Sequence, residues 1–319
     1  MAKKRIPVVC LVGPTAVGKT GLSLDLAEYL QCEIISADSM QVYRNMDVGT
    51  AKIPLEERRG ITHYMIDVIE PTETFTAYDY AIMARSILLD CAKSDSVPLM
   101  VGGTGLYIRA VMDDLDFTKA TRDEELRASF EQIVKQQGAL VLHERLQRLD
   151  PDAASRIHPN DHKRMIRSLE IITLTGQPIA ASYKRTTESP FAPIIIGLTM
   201  DRDILYARID QRVDQMIDEG LVQEVESLLA RGCTSKHTSM QAIGYKELMA
   251  YVEDRIGLQD AVTSIKQASR RYAKRQLSWF RADPRIQWYN WADNDMIKSI
   301  SNILDHVKRR KMMIELEDE

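Results

Sequence analysis

Apolar residues in the first third of the chain fall into short unbroken runs: Ile6 to Val12, Glu33 to Ser36, Tyr64 to Val68 and Val97 to Gly102. A further run spans Pro193 to Met200. Runs that do not alternate suit strands buried on both faces, as in a parallel sheet covered by helices. Between them the period changes to three or four, with Leu22, Leu26 and Leu30 inside Thr20 to Leu30 and a similar stripe across Thr76 to Ser94. This βαβ alternation predicts an α/β core. From about Asp116 to Ser189 the strand signal vanishes and helix signals take over. Thr121-Arg122-Asp123-Glu124 reads as a helix start, and Asn160 or Asp161 as the cap of a helix that Gly176 and Pro178 end. After the return to the sheet, amphipathic helices are expected at Ile204 to Glu219, Leu221 to Arg231 and Ala261 to Phe280. The resulting organisation is 1–115 as the first part of the core, 116–190 as an all-helical insertion, and 191–319 as the return to the core.

A chain of 319 residues is long enough for one large core and a second module. No segment approaches the roughly 18 apolar residues needed to span a membrane. Cys10, Cys32, Cys91 and Cys233 are scattered without a C-x-x-C pair, which fits buried thiols in a reducing cytoplasm. The net charge of -4 conceals a local excess: Lys266 to Arg285 holds seven basic residues against one acidic residue. There, bases interleave with Tyr272, Trp279 and Phe280, a mixture that suits single-stranded RNA, although a core-facing aromatic stripe on a solvated basic helix reads equally from the period.

The first apolar run leads into Gly13-Pro14-Thr15-Ala16-Val17-Gly18-Lys19-Thr20, a G-x-x-x-x-G-K-T phosphate loop. Its glycines let backbone N–H groups turn inward toward a phosphate, and the following helix aims its positive end at the same point. Lys19 adds a full charge, and the Thr20 hydroxyl is placed for a Mg²⁺ that bridges phosphate oxygens. The loop specifies phosphate, not nucleotide. Asp38 follows the second strand, where ligands of open α/β sheets gather, and reads as a metal contact, a general base or a turn cap. Thr104, in Gly102-Gly103-Thr104-Gly105, can donate to a phosphate oxygen. Arg208 and Arg212 lie four apart on one helix face, as a solvated pair or as a clamp on a leaving phosphate. The six histidines show no metal-ligand spacing.

Taken together, the segments resemble the bacterial tRNA dimethylallyltransferases, also called tRNA isopentenyltransferases. The likeness is carried by the phosphate loop, by Ser36-Ala37-Asp38-Ser39-Met40-Gln41-Val42-Tyr43 with Met46 to Lys52, by Val101 to Tyr107, by Met240-Gln241-Ala242-Ile243-Gly244-Tyr245, and by Tyr272-Ala273-Lys274-Arg275-Gln276. His63-Tyr64 departs from the paired histidines of the family. The resemblance implies a phosphate-loop, nucleotide-kinase-like core that moves a dimethylallyl group from dimethylallyl diphosphate to N6 of the adenosine 3′ of the anticodon, with Mg²⁺ as cofactor.

In that reading Asp38, Thr104, Arg212 and Lys19 are catalytic. Gly13, Thr15, Ala16, Val17, Gly18, Lys19, Thr20 and Arg208 hold diphosphate, with Thr20 also touching the metal. The tRNA anticodon stem-loop meets Asp38, Ser39, Met40, Gln41, Thr104, Arg127, Lys163, Arg164, Met165, Ile166, Arg167, Met240 to Tyr245, Arg271, Lys274 and Arg275. No membrane partner or obligate protein partner is implied, which is consistent with a monomer. Two other readings remain open: an ATP-dependent small-molecule kinase, favoured by the phosphate loop alone, and a prenyltransferase of free adenine nucleotides. A non-catalytic RNA-binding module sits poorly with intact Lys19, Thr20 and Asp38.

Overall fold

The computed structural model describes residues 5–94, 97–113, 123–178, 189–291 and 296–317. The chain forms two compact units, Met1–Met112 together with Pro190–Glu319, and Asp113–Ser189.

The first unit is built on six strands, β1 (Ile6–Val12), β2 (Ile34–Ser36), β3 (His63–Tyr64), β4 (Leu99–Gly102), β5 (Phe191–Thr199) and β6 (Gln287–Asn290). Their order is β3-β2-β4-β1-β5-β6, and every neighbouring pair is parallel. Val8 to Val12 are completely inaccessible, as the unbroken apolar run requires. Val12 sits opposite Gly102 on one side and Gly197 on the other, so the carboxyl ends of the central strands are level. The loops leaving them therefore gather at one edge of the sheet.

Two strands depart from the sequence pattern. The run Tyr64 to Val68 pairs only at His63–Tyr64, because Met65 and Asp67 take φ values of 62° and 55° and turn the chain out of the sheet. Strand β6 carries no apolar run because it is a four-residue edge with half-buried aromatics.

Around the sheet lie α1 (Lys19–Leu30), α2 (Ala77–Cys91) and α3 (Gly105–Met112), and later α8 (Arg202–Asp218), α9 (Leu221–Ala230), α10 (Tyr245–Val252), α11 (Leu258–Arg281) and α12 (Met296–Glu317). Helix α2 opens with a reciprocal cap in which Thr76 accepts from the Asp79 N–H and Asp79 accepts from the Thr76 N–H. A cluster distinct from the sheet core joins α8 to α11 through Val213, Leu221, Tyr245 and Ile265, and takes in Val42, Tyr43 and Met46.

The second unit is helical: α4 (Glu124–Gln137), α5 (Ala139–Leu149), α6 (Pro151–Arg156) and α7 (His162–Thr175). Thr121-Arg122 lie outside the described residues, and the start of α4 is capped by Asp123, which accepts from the Leu126 N–H at 2.9 Å. Asp161 caps α7. Phe130, Leu142, Leu146, Met165 and Leu169 form the core of this unit. Beside it Glu170, fully buried, accepts from Arg127 Nε and Nη2 at 2.8 Å each, from Arg167 at 2.7 Å and from the Asp123 N–H at 2.8 Å. Burial pushes the Glu170 carboxyl up, but the hydrogen bonds from Arg127, Asp123 and Arg167 outweigh it and hold the group at about 2.

Candidate active site

The phosphate loop links β1 to α1. Gly18, the N-cap of α1, takes φ 99° without a side-chain cap, so the first turn of the helix keeps its N–H groups for a ligand. A Cβ on Gly18 would come within 2.8 Å of the Trp291 ring nitrogen, and Val17 is wholly buried in the sheet core. Lys19 folds back so that Nζ donates to the carbonyls of Gly13 (3.0 Å) and Pro14 (2.7 Å). Burial, reinforced by the Arg212 charge and opposed by Asp38, lowers its ammonium from 10.5 to about 7.

Asp38 leaves the end of β2. Its Oδ1 accepts from the Met40 N–H at 2.8 Å, while Oδ2 makes no hydrogen bond to a described residue. The carboxylate therefore serves as a turn cap with one oxygen and faces the cavity with the other. Thr104 Oγ1 accepts from the Ser39 N–H at 3.1 Å. Burial and then Asp38 hold the Tyr272 phenol up at about 12, so it remains a donor.

The glycines of the second motif have a packing purpose. A Cβ on Gly102 would lie 2.1 Å from the Ala37 carbonyl oxygen, one on Gly103 would lie 2.0 Å from Gln276 Nε2, and one on Gly105 would strike the Trp279 ring. They admit the backbone beyond β2 and the side chains of α11, and Gly102 and Gly103 also line the cavity described below. Gln276, buried on α11, donates to the Gly103 carbonyl at 3.0 Å and accepts from the Thr15 N–H at 2.9 Å, tying this turn to the phosphate loop.

The segment after Asp38 is fixed by one carboxylate. Glu224 of α9 accepts from the N–H groups of Asp47 (2.7 Å), Val48 (2.8 Å) and Gly49 (3.1 Å) and from the Tyr245 hydroxyl (2.5 Å). Gln41 adds a bond to the Thr50 carbonyl, and Lys52 bonds Asp47, Asp67 and the Tyr43 carbonyl. A Cβ on Gly49 would overlap the Tyr245 ring at 2.5 Å, which explains why glycine stands there.

These parts enclose one cavity of about 390 Å³ within the first unit. Thr15, Ala16, Lys19, Thr20 and Arg212 line its phosphate end. Asp38, Ser39, Met40 and Gln41 line a second side with Gln241, Ala242, Ile243 and Gly244, and Ile209, Val213, Met216, Leu221 and Ile265 supply apolar wall. Several anticipated residues fall elsewhere. Arg212 lines the cavity, whereas Arg208, one turn before it, is not among the lining residues. Gly13, Val17 and Gly18 shape the loop without lining the cavity.

Met165, Ile166, Met240, Ala242 and Tyr245 are buried, and the Met165, Met240 and Tyr245 side chains, with no accessible surface, offer RNA no contact. Arg127 and Arg167 spend their charge on Glu170. Lys163 and Arg164 are exposed on α7, as are Arg271, Lys274 and Arg275 on α11. The roles of Gln276 and Tyr272 in the site, and Glu224 altogether, are not among the sequence expectations. The first two lie in or beside a quoted motif, but Glu224 sits on an ordinary amphipathic helix that carries no signal.

A parallel α/β core with a phosphate loop, a carboxylate opposite it and an apolar wall between them defines a group-transfer enzyme acting on a phosphorylated substrate. Residues 41–283 match the IPP transferase family, and the chain belongs to it. It is 46% identical over 298 residues to the tRNA dimethylallyltransferase of Halalkalibacterium halodurans, covering 93% of this chain and 95% of the relative, and 46% identical over 312 residues to that of Bacillus subtilis, covering 96% and 98%. Among solved structures it resembles the full-length tRNA isopentenylpyrophosphate transferase of Bacillus halodurans, with TM-score 0.73, 43% identity and coverage of 97% and 99%. It also resembles a eukaryotic dimethylallyltransferase acting on tRNA, with TM-score 0.77, 28% identity and coverage of 96% and 80%.

Proposed function

We infer that this chain is a tRNA dimethylallyltransferase that joins the dimethylallyl group of dimethylallyl diphosphate to N6 of the adenosine 3′ of the anticodon, releasing diphosphate. The observation that carries this reading is the combination in one cavity of a phosphate end, an apolar wall and a carboxylate oxygen left open. In the reaction the allylic C–O bond breaks, its electron pair leaves with diphosphate, and the N6 lone pair forms the new C–N bond. The loop amides, Lys19 and Arg212 stabilise the charge that grows on diphosphate. Asp38 Oδ2 accepts the proton that N6 loses and passes it to solvent when the product departs.

The walls also support Mg²⁺. Magnesium keeps most of its waters and takes only one or two protein oxygens beside substrate phosphates, and the exposed Thr20 hydroxyl and the Asp38 carboxylate line the same cavity. Among the described residues no cluster of three metal-ligating side chains competes with that arrangement. The ion would neutralise diphosphate charge when bound. Nucleic acid of this shape must present its base out of the stack, and Lys163, Arg164, Arg271, Lys274 and Arg275 are the exposed cations that fit its backbone. The enzyme works in the cytoplasm as a monomer in this reading, and no described helix is long and apolar enough to cross a membrane. Mass spectrometry of tRNA nucleosides from cells lacking this gene tests it: N6-dimethylallyladenosine should disappear, and its persistence would overturn the assignment.

A further inference from the structure

Helices α8 and α11 pack with their charges in register. Lys266 lies 2.6 Å from Asp214, and Arg270 closes on both oxygens of Asp210. Steps of four along α11 thus meet steps of four along α8 in the opposite direction, and each cation finds a carboxylate. The series then breaks. Lys274 follows Arg270, but the position four before Asp210 is Tyr206, and four before that is Arg202.

Arg202, Lys274 and Arg281 line a groove of about 520 Å³ at the ends of β5 and β6, with Asn290 and Ser278 among its polar walls and Asp201 as the single carboxylate among the described residues. None of the three cations has an ion pair among the described residues. The Arg202 guanidinium instead stacks on Tyr206 at 5.0 Å, a contact that fixes the group and leaves its N–H donors open. The groove lies on a different face of α11 from the catalytic cavity: Tyr272, Arg275 and Gln276 line the cavity, whereas Lys274, Leu277, Ser278 and Arg281 line the groove.

We propose that this groove is a second phosphate-binding site, one that grips the sugar-phosphate backbone of the RNA substrate away from the reacting base. The inference rests on the tRNA reading above. Phosphate is the chemistry that three unpaired cations and neutral hydrogen-bonding groups select. Two sources of phosphate exist here, the RNA backbone and free diphosphate. Exposed cations spread over two helices suit the backbone, where affinity comes from counterion release, while a small diphosphate gains more from buried loop amides such as those beside Lys19.

The test compares wild-type protein with Arg202→Glu and Arg281→Gln, measuring binding of full-length tRNA across a salt series and inhibition by inorganic diphosphate. Arg202 is exposed in the first turn of α8, where the helix dipole favours a carboxylate, so the melting temperature of Arg202→Glu should hold or rise, and any loss of binding is not a loss of fold. The proposal predicts about tenfold weaker tRNA binding for Arg202→Glu at roughly 0.1 M salt, a log-log salt slope shallower by about one unit per lost contact in each variant, and unchanged diphosphate inhibition. Unchanged tRNA affinity and slope in folded variants would overturn it. Weaker diphosphate inhibition with unchanged tRNA binding would assign the groove to free diphosphate and overturn the backbone reading. Failure of the wild-type protein itself to bind tRNA would sink the functional assignment and the groove together, whereas tight wild-type binding unaffected by the variants would sink the groove alone.

Discussion

The two loops that face each other across the cavity are held in opposite ways. The segment 38–52 is tied down by side chains: Glu224 collects three of its amides, and Lys52, with only 5% of its side chain exposed, is neutralised by Asp47 and Asp67. The phosphate loop has few such ties. Among the described residues its lysine touches two backbone carbonyls and no carboxylate, and Gln276 bonds the Thr15 amide of the loop. A buried cation with carboxylates on both sides has spent its charge on the fold, while a lysine resting on carbonyls, whose charged form burial disfavours, gains its charge in full when an anion binds. In the function proposed above, one loop is a scaffold for the acceptor and the other a receptor for phosphate.

The contrast breaks most sharply at Asp38. Asp38→Asn keeps the turn through its remaining oxygen but cannot take a proton, so single-turnover transfer should fall about 10²- to 10⁴-fold with the fold intact. Near wild-type transfer would leave Asp38 as a turn cap only. Lys19→Ala should lower transfer about 10²- to 10³-fold while tRNA affinity stays within a few-fold, since the lysine serves diphosphate alone. A tenfold loss of tRNA binding in that variant would erase the division between the loops.

Stability should respond in the reverse sense. Glu224→Ala strands three backbone donors and the Tyr245 hydroxyl, and urea unfolding should show a loss of about 2–4 kcal/mol. Lys19→Ala should cost nothing and can stabilise, because a charge is removed from a site that disfavours it. Loss of stability in Lys19→Ala comparable to that in Glu224→Ala would contradict the comparison.

The smallest effect is a pH dependence. With its folded-state pKa lowered to about 7, Lys19 is largely neutral above that pH in the free protein and must gain a proton when diphosphate binds. Affinity should fall as pH rises through 7, by at most about tenfold per unit, and flatten below it. Calorimetry in buffers of different ionisation enthalpy should find proton uptake at pH 8 that is absent from Lys19→Gln, a reference that cancels the titration of diphosphate itself.

Much of this was legible because local chemistry and local structure coincide. Unbroken apolar runs gave the central strands, and the phosphate loop announced itself because its function is performed by its own backbone. What could not be read depends on partners distant in sequence. Gly102, Gly103 and Gly105 leave room for Ala37, Gln276 and Trp279, neighbours far away along the chain. Arg127 on α4 and Arg167 on α7 are both held by Glu170 of α7, and the contact from α4 spans 43 positions of sequence. Glu224 acts on residues 175 or more positions away, a separation no local pattern encodes.

The most direct measurement follows label from dimethylallyl diphosphate into an anticodon stem-loop bearing adenosine 3′ of the anticodon. The account predicts Mg²⁺-dependent transfer without ATP, and none when that adenosine is replaced by inosine, which lacks the N6 amine. Label that enters only with ATP, that enters the inosine substrate equally, or that prefers free AMP over the stem-loop would contradict it.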